Sequence, residues 1–528
     1  MEETSAMTPK KTRFRLVDRD IPSDFSDFLK PLGYVDCAPS RMVKKVFFDT
    51  FDWRMFNSDK SISVGPGVRG PEVCINDLDG NETAAAFPGG LPTGLVSDFP
   101  NGHIRTMMAA IIDVRRLLPR LEVASRRTPI AIRNKEGKVV LRFIVEKCSV
   151  RDPGRPRTLS LGRYLTVEPI RGYAKMEAKA RDMLNAEFAL QPVACPLPME
   201  GFHVVGVIPG DYSAKLRLSL DPMLTSVAAV RQIHLTLLDA MIRNEEGTVN
   251  NTDPEYLHDF RVAVRRTRSA LGQLDKGVLP AAVIAKAKKD FRWIGQQTNH
   301  MRDLDVYLID YPHLQSALPA AYKPYLQPFQ DHLITLGRKE SKRVAAMIRG
   351  KRYKRIRDDW QAYLTSGFKN DITSDIADMP VKDLADRRIW KAYRQVMKQG
   401  GIIDDNSPAE SLHDLRITCK KLRYLLEFFQ SLYPPRSLKA LVKSLKTLQN
   451  VLGEFQDSQL QSEAILNFGR DLAAAGSAPV ETQMAMGMVA ESILARQGIA
   501  RAMFSECFDT FSRREVEASF VKLFKNRE

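Results

Sequence analysis

Two stretches of this chain hold residues whose types and spacing can do chemistry, and they are the same phrase written twice. Leu257-His258-Asp259-Phe260-Arg261-Val262-Ala263-Val264-Arg265-Arg266-Thr267-Arg268 returns 155 positions later as Leu412-His413-Asp414-Leu415-Arg416-Ile417-Thr418-Cys419-Lys420-Lys421-Leu422-Arg423. Each copy carries one histidine and four cationic side chains, the equipment for gripping a polyanion. A guanidinium offers paired hydrogen bonds to phosphate oxygens, a lysine ammonium offers a compact adjustable charge, and an imidazole adds a third donor once protonated. Such binding strengthens as pH falls through the histidine range and weakens steeply with salt, because counterions condensed on the polyanion are released. The stripes are single-signed: Glu427, four residues beyond Arg423, is the one carboxylate placed at i±4 to neutralise any of these cations.

The elements that must position these residues are helices. With a step of about 100° per residue and the histidine at zero, positions +3, +7 and +10 fall near 300°, 340° and 280°. His258, Arg261, Arg265 and Arg268 therefore share one stripe, and so do His413, Arg416, Lys420 and Arg423. Arg266 and Lys421, at about 80°, flank it. Phe260, Val264 and Leu271, with Leu415, Cys419 and Leu426 at the same offsets, gather between about 200° and about 240° and form the core side. Asp253-Pro254 predicts an N-cap followed by proline in the first turn, and Ser407-Pro408-Ala409-Glu410 predicts the same with a capping-box glutamate. A second parallel trails each phrase: Lys289, Arg292 and Asp303 match Lys443, Lys446 and Asp457, whereas Arg302 has Gln456 as its counterpart. Further helices are predicted near 222–246, 280–310, 322–348, 352–365, 387–399, 435–468 and 479–510, and short connections favour antiparallel bundles. Lys339, Lys342, Arg343, Lys351, Arg352, Lys354 and Arg355 form another basic stretch, read as a solvated face.

Residues 12 to about 212 have a different character. Val43–Thr50 and Val139–Val145 read as strands, and Asn134-Lys135-Glu136-Gly137 reads as a hairpin turn. Asp113–Val123 and Tyr173–Leu190 have helical spacing, while glycine and proline clusters at Gly65-Pro66-Gly67, Pro88–Pro92 and Asp152-Pro153-Gly154 break the pattern. Prolines 192, 196, 198 and 209 mark a boundary.

Across 528 residues the formal net charge is +16, split into about +6 over the first 210 residues and about +10 over the rest, so bulk charge points to an anionic partner without locating it. Length predicts two or three domains. Met1-Glu2-Glu3-Thr4-Ser5 has acid where a secretory signal needs basic residues, and no segment is long and apolar enough to span a membrane, so a cytoplasmic protein with no membrane partner is expected. The six cysteines are scattered without a Cys-x-x-Cys pair and are expected to be reduced and mostly buried; no metal or cofactor is expected.

The doubled phrase, with Leu257–Leu271, Leu412–Phe429, Arg302-Asp303-Leu304-Asp305-Val306 and Leu452-Gly453-Glu454-Phe455-Gln456-Asp457, resembles the CHAD family, the conserved histidine α-helical domain. The resemblance covers residues 220–525, in repeats at about 220–365 and 387–520. It implies two pseudo-symmetric four-helix bundles, a basic groove that binds inorganic polyphosphate, and association with polyphosphate granules. Residues 1–212 resemble a divergent CYTH, or triphosphate tunnel, domain through Phe47-Phe48-Asp49-Thr50-Phe51-Asp52, Val139–Glu146 and Val167-Glu168-Pro169-Ile170-Arg171-Gly172-Tyr173. The fold expected is thus α+β, a β-rich domain followed by an all-α domain. The CYTH motif Glu-x-Glu-x-Lys is missing from the first strand, which reads Lys11-Thr12-Arg13-Phe14-Arg15-Leu16, so a noncatalytic domain is expected.

Three alternatives stand beside this reading. His258-Asp259 and His413-Asp414 are dipeptides of the kind found in metal-dependent phosphohydrolases, but the neighbouring Arg and Lys oppose a bound cation. Nucleic acid would satisfy the charge, although no helix-turn-helix or stacking platform is evident. An inorganic triphosphatase or polyphosphate-processing activity of the N-terminal domain is the enzymatic alternative.

Overall fold

The computed structural model describes residues 12–16, 25–78, 83–188, 190–193, 195–216, 218–366 and 374–525. Lys11 and the segment Met1–Ser5 lie outside them. The chain divides into two compact units, Met1–Ser213 and Ala214–Glu528.

The first unit is built on an antiparallel sheet. In chain order its elements are β1 (Thr12–Leu16), α1 (Phe25–Phe28), β2 (Tyr34–Cys37), β3 (Arg41–Asp49), β4 (Lys60–Gly67), β5 (Gly70–Asp77), β6 (Thr83–Pro88), α2 (His103–Ile112), β7 (Leu118–Arg133), β8 (Val139–Arg151), β9 (Thr158–Pro169), α3 (Ala174–Glu187), β10 (Leu190–Pro192) and α4 (Leu197–Val205). The strands order as β10-β1-β9-β8-β7-β3-β4-β5-β6, with β2 also pairing β7. The long hairpin β7–β8 turns at Asn134–Gly137, where the Gly137 N–H donates to the Asn134 carbonyl at 3.0 Å. Phe143, Leu141 and Leu165 pack under Leu184 of α3, and Leu121, Val150 and Trp53 pack under Phe202 of α4. The helical spacing of Asp113–Val123 is overturned. α2 stops at Ile112, and residues from Leu118 enter β7, where Leu121 and Val123 alternate with Arg120 and Glu122 and pairing to β3 and β8 decides the conformation. Gly65-Pro66-Gly67 ends β4 instead of interrupting it.

Every regular element described in the second unit is a helix: α5 (Ser226–Arg243), α6 (Glu245–Val249), α7 (Pro254–Gln273), α8 (Ala281–Ser316), α9 (Gln327–Arg349), α10 (Lys351–Thr365), α11 (Asp375–Asp378), α12 (Val381–Gly400), α13 (Ala409–Phe428), α14 (Pro435–Ala474), α15 (Val480–Phe511) and α16 (Arg514–Phe524). The series α5, α7, α8, α9, α10 is repeated as α12, α13, α14, α15, α16: four long helices and a shorter closing one. The Asp253 carboxylate caps α7, accepting from the Glu255 and Tyr256 N–H groups at 3.0 and 3.3 Å. The capping box expected at Ser407 does not form. Pro408 takes the N-cap position of α13, and the Ser407 hydroxyl is turned back to Asp404, to which it donates at 2.9 Å.

Two hydrophobic cores result. The larger takes Phe260, Val264 and Leu271 from α7, Phe291 and Ile294 from α8, Leu415, Cys419 and Leu426 from α13, and Leu445 and Leu448 from α14. The smaller gathers Leu304, Tyr307, Tyr311 and Leu314 of α8, Phe329 and Leu333 of α9, Ile465 and Leu472 of α14, and Met486, Val489 and Ile493 of α15. α8 and α14 extend 36 and 40 residues, beyond the 20 of α7 and of α13, and the overhang carries the second core. No described helix is long and apolar enough to cross a membrane. Cysteine burial is lower than expected: Cys148 and Cys419 are buried, Cys74 and Cys507 half-buried, Cys37 and Cys195 exposed.

Candidate functional site

Burying Phe260, Val264 and Leu271 of α7 and Leu415, Cys419 and Leu422 of α13 turns the adjacent face of each helix outward. Those faces meet across a groove of about 690 Å³ lined by Arg265, Arg268 and Ser269 of α7, Lys288, Lys289 and Arg292 of α8, and Ile417, Lys420, Lys421 and Tyr424 of α13. The two repeats therefore line one groove with seven cations. Among the described residues none of the seven forms a salt bridge. Two like charges about 8 Å apart repel by about 2 kcal/mol at an effective dielectric near 20, so an anion entering this space relieves several repulsions together.

The protonation equilibria register that crowding. Burial, then Arg416, Arg265 and Arg423, push Lys420 down to about 8 against the pull of Asp457. Burial and the neighbouring Arg292 also lower Arg268. Arg268 lies over Gly295, where an added Cβ would stand 3.4 Å from its Nη1. In the second repeat Gln449 has the corresponding place on α14, and its Oε1 accepts from Arg423 Nη1 at 3.0 Å.

The other residues expected at the site have different employment. Arg261 Nη1 donates to the Thr298 hydroxyl at 2.8 Å, Asn299 Oδ1 at 2.9 Å and the Gly295 carbonyl at 3.2 Å, fastening α7 to α8. Burial brings its pKa down to about 10, with Arg265 and Arg302 adding to the fall and Asp303 and Asp305 opposing it. Arg416 Nη2 donates to both Asp457 oxygens, at 2.9 and 2.8 Å, fastening α13 to α14 in the same way. Arg266 crosses between repeats: Nη2 meets Glu427 at 2.9 Å and Nη1 donates to the Ala214 carbonyl at 3.0 Å. Arg423 shares Glu427 at 3.2 Å. His413 Nδ1 is 3.0 Å from Gln456 Oε1, and His258 is half-buried; neither lines the groove. Lys443 and Lys446 are exposed on α14 outside the lining. Arg302 is half-buried beside Asp303 and Asp305, and burial pushes Asp305 up to about 7.

Of the sequence-derived residues the groove thus brings together Arg265, Arg268, Lys289, Arg292, Lys420 and Lys421. Lys288 joins them without having been expected, although its adjacency to Lys289 doubles the local charge and is a signal in the sequence.

In the first unit the strand that replaces Glu-x-Glu-x-Lys presents Arg13 and Arg15. Arg13 meets Glu146 at 2.8 Å and Arg127 meets it at 2.6 Å, so this 4% exposed carboxylate is matched by two guanidinium groups. Glu122 is held by Lys44 at 2.9 Å and Arg151 at 2.7 Å, and Glu168 stands opposite Arg142 in the β8–β9 register. No cluster of three His, Cys, Asp or Glu side chains suited to a metal ion occurs among the described residues.

Residues 232–466, within the helical unit, match the family model of the CHAD domain. The chain is similar to the solved CHAD domain from the plant Ricinus communis, with 24% identity over 59% of this chain and 96% of that one and a TM-score of 0.42. It is also similar to PptA from Streptomyces chartreusis (14% identity, 54% of this chain, 100% of that one, TM-score 0.42). A protein from Hippeastrum with a dominant triphosphatase activity resembles the N-terminal region (12% identity, 38% of this chain, 99% of that one, TM-score 0.26). Comparison with curated proteins returns no match.

Proposed function

We propose that the helical unit binds inorganic polyphosphate in the groove between its repeats, without chemical turnover. The observation that carries this reading is the set of seven cations, drawn from α7, α8 and α13, that share one groove without a carboxylate in salt-bridge contact. A flexible chain of phosphates supplies a negative charge at every step and can meet them all. No metal or cofactor is invoked, since Arg and Lys provide the whole of the recognition. The CHAD match over residues 232–466 agrees with this reading.

Nucleic acid meets the same charge, but sequence-tolerant binding of single strands draws on exposed aromatic faces. The aromatic residue in the lining, Tyr424, is 4% exposed and offers no such face. For the N-terminal unit, divalent-ion catalysis needs carboxylates free to take a metal. Glu146 and Glu122 are already bound to guanidinium and ammonium groups, which favours a unit without triphosphatase activity.

The test is binding of long-chain polyphosphate and of single-stranded DNA at matched salt, with wild type and with Arg268→Glu combined with Arg292→Glu. Polyphosphate should bind more tightly than DNA, with a log–log salt slope of roughly −5 for seven contacts at about −0.7 each. The double variant should lose at least 100-fold. Stronger DNA binding, or an unchanged variant, would overturn the assignment.

A further inference from the structure

The groove ends against one flank of α8, and the opposite flank carries a second cationic surface that the groove reading leaves unused. With Lys289 at zero and about 100° per residue, Lys288 and Arg292 lie near 260° and 300°, on the groove side. Trp293, Lys286 and Gln297 lie at about 40°, about 60° and about 80°, on the other side. The contacts agree with that division. Gln297 accepts from Arg343 of α9 at 3.0 Å, Lys286 meets Asp359 of α10 at 3.1 Å, and the Arg352 guanidinium of α10 stacks over the Trp293 ring at 4.1 Å. Lys289 stands on the crest between the two flanks.

We propose that the anion path continues over this crest to a second station on α10, at Arg352 and Arg355, so that the domain selects chains long enough to occupy both places. The proposal rests on the groove reading and extends it to chain length. Three observations carry it. Lys351, Arg352, Lys354 and Arg355 are all exposed, and none forms a salt bridge among the described residues, whereas Arg357 on the same helix is bound to Glu245 at 2.9 Å and Asp358 at 2.8 Å. Arg352 is fixed by the flat face of its guanidinium on the Trp293 ring, which leaves the N–H edge without an acceptor among the described residues and exposed to solvent. Arg355, three residues on, shares the face that reaches α8 through Asp359. A helix is about 10 Å across with its side chains, so a chain leaving Arg292 passes Lys289 and reaches Arg352 without losing cationic contact.

The experiment compares tripolyphosphate with long-chain polyphosphate on the full chain carrying Arg352→Glu and Arg355→Glu, with circular dichroism to confirm the fold. Affinity for the long chain should fall about tenfold or more and its salt slope should become shallower, while tripolyphosphate binding stays unchanged. Equal losses for both ligands, or none for the long chain, would overturn the second station. If the charge reversal unfolds the protein, Arg352→Gln with Arg355→Gln reads the same difference. Arg268→Glu with Arg292→Glu separates the two claims, because it should abolish binding at both lengths; wild-type binding by that variant sinks the groove itself.

Discussion

Arg268 on α7 faces the groove without a carboxylate in contact, whereas its counterpart Arg423 on α13 is held by Glu427 and Gln449. The flanking pair is reversed: Arg266 is taken by the same Glu427, and its counterpart Lys421 is free to line the groove. Arg261 and Arg416 both fasten one helix to the next, the first through neutral acceptors and the second through Asp457. On the following helices Lys289 and Arg292 line the groove while Lys443 and Lys446 do not. The repeats keep the cations of the doubled phrase and differ in the acid that follows it and in the charges of the next helix. Glu427, with Gly272 at the corresponding place, takes one cation from each repeat, and the first repeat's excess in the groove comes from α8, whose Lys288, Lys289 and Arg292 line it. A charge count alone would have ranked the two copies as equals.

The largest effect expected from this asymmetry separates α8 from α14. Lys288→Glu with Lys289→Glu should lower polyphosphate affinity about 100-fold, since two charge-assisted contacts of about 1.5 kcal/mol each are removed. Lys443→Glu with Lys446→Glu should change it less than about threefold by the same reckoning. Fluorescence titration of both variants at one salt concentration checks the pair, and equal losses would restore symmetry between the repeats.

Lys420 gives the next effect, because it is the second repeat's most crowded cation. Its pKa near 8 means that affinity is full below about pH 7 and falls about tenfold as pH rises past 8 and the ammonium is lost, the worth of one charge-assisted contact. The free protein responds in the opposite sense. A lysine lowered from 10.5 to about 8 on folding binds fewer protons in the native state, so stability rises as pH climbs from about 8 towards 10.5. Titrations from pH 6.5 to 9.5 on wild type and Lys420→Arg test this, since arginine should flatten the fall in affinity.

The smallest change is the most pointed. Gly272→Glu gives the first repeat the acid it lacks, four residues after Arg268, and an added Cβ there meets nothing within 4 Å. Affinity should fall severalfold as Arg268 acquires a partner, while stability rises by about 1 kcal/mol from helix propensity and the i,i+4 pair. Unchanged affinity would show that paired and unpaired arginines serve the ligand equally.

Much of this site is legible in the sequence because a helix converts spacing into direction without help from the rest of the fold. The interval of seven between His258 and Arg265, or of three between Arg265 and Arg268, fixes a face, and burial of Phe260 and Val264 fixes which face is outward. What escapes depends on partners far away in sequence. Glu427 reaching Arg266 across 161 positions is a tertiary fact, as is Asp457 meeting Arg416. His413 reads as a ligand contact from its stripe, and only packing of α13 on α14 shows that Gln456 stands next to it. The same holds for Asp113–Val123, whose local spacing is overruled by strand partners on both sides, and for Ser407, drawn away by Asp404. Parts of β3 and β8, and the hairpin turn before β8, are legible as short runs of Val, Ile and Phe beside a turn sequence. The β10-β1-β9 edge of the sheet, however, joins Thr12–Leu16 to strands from the far end of the same unit, and no local pattern encodes that.

The overhang of α8 and α14 also has a dynamic consequence. At about 1.5 Å per residue these helices run roughly 54 and 60 Å, while α7 and α13 run roughly 30 Å. The smaller core at the overhang contains no side chain from α7 or α13, the two helices that carry the repeated phrase. The two cores, joined by α8, α9, α14 and α15, are expected to open as separate cooperative units. Opening of the distal unit exposes amides of the later turns of α8 and α14 to exchange while the earlier turns, clamped in the larger core, keep their protection. The shared helices allow one end of the domain to breathe while the other holds its charges in register.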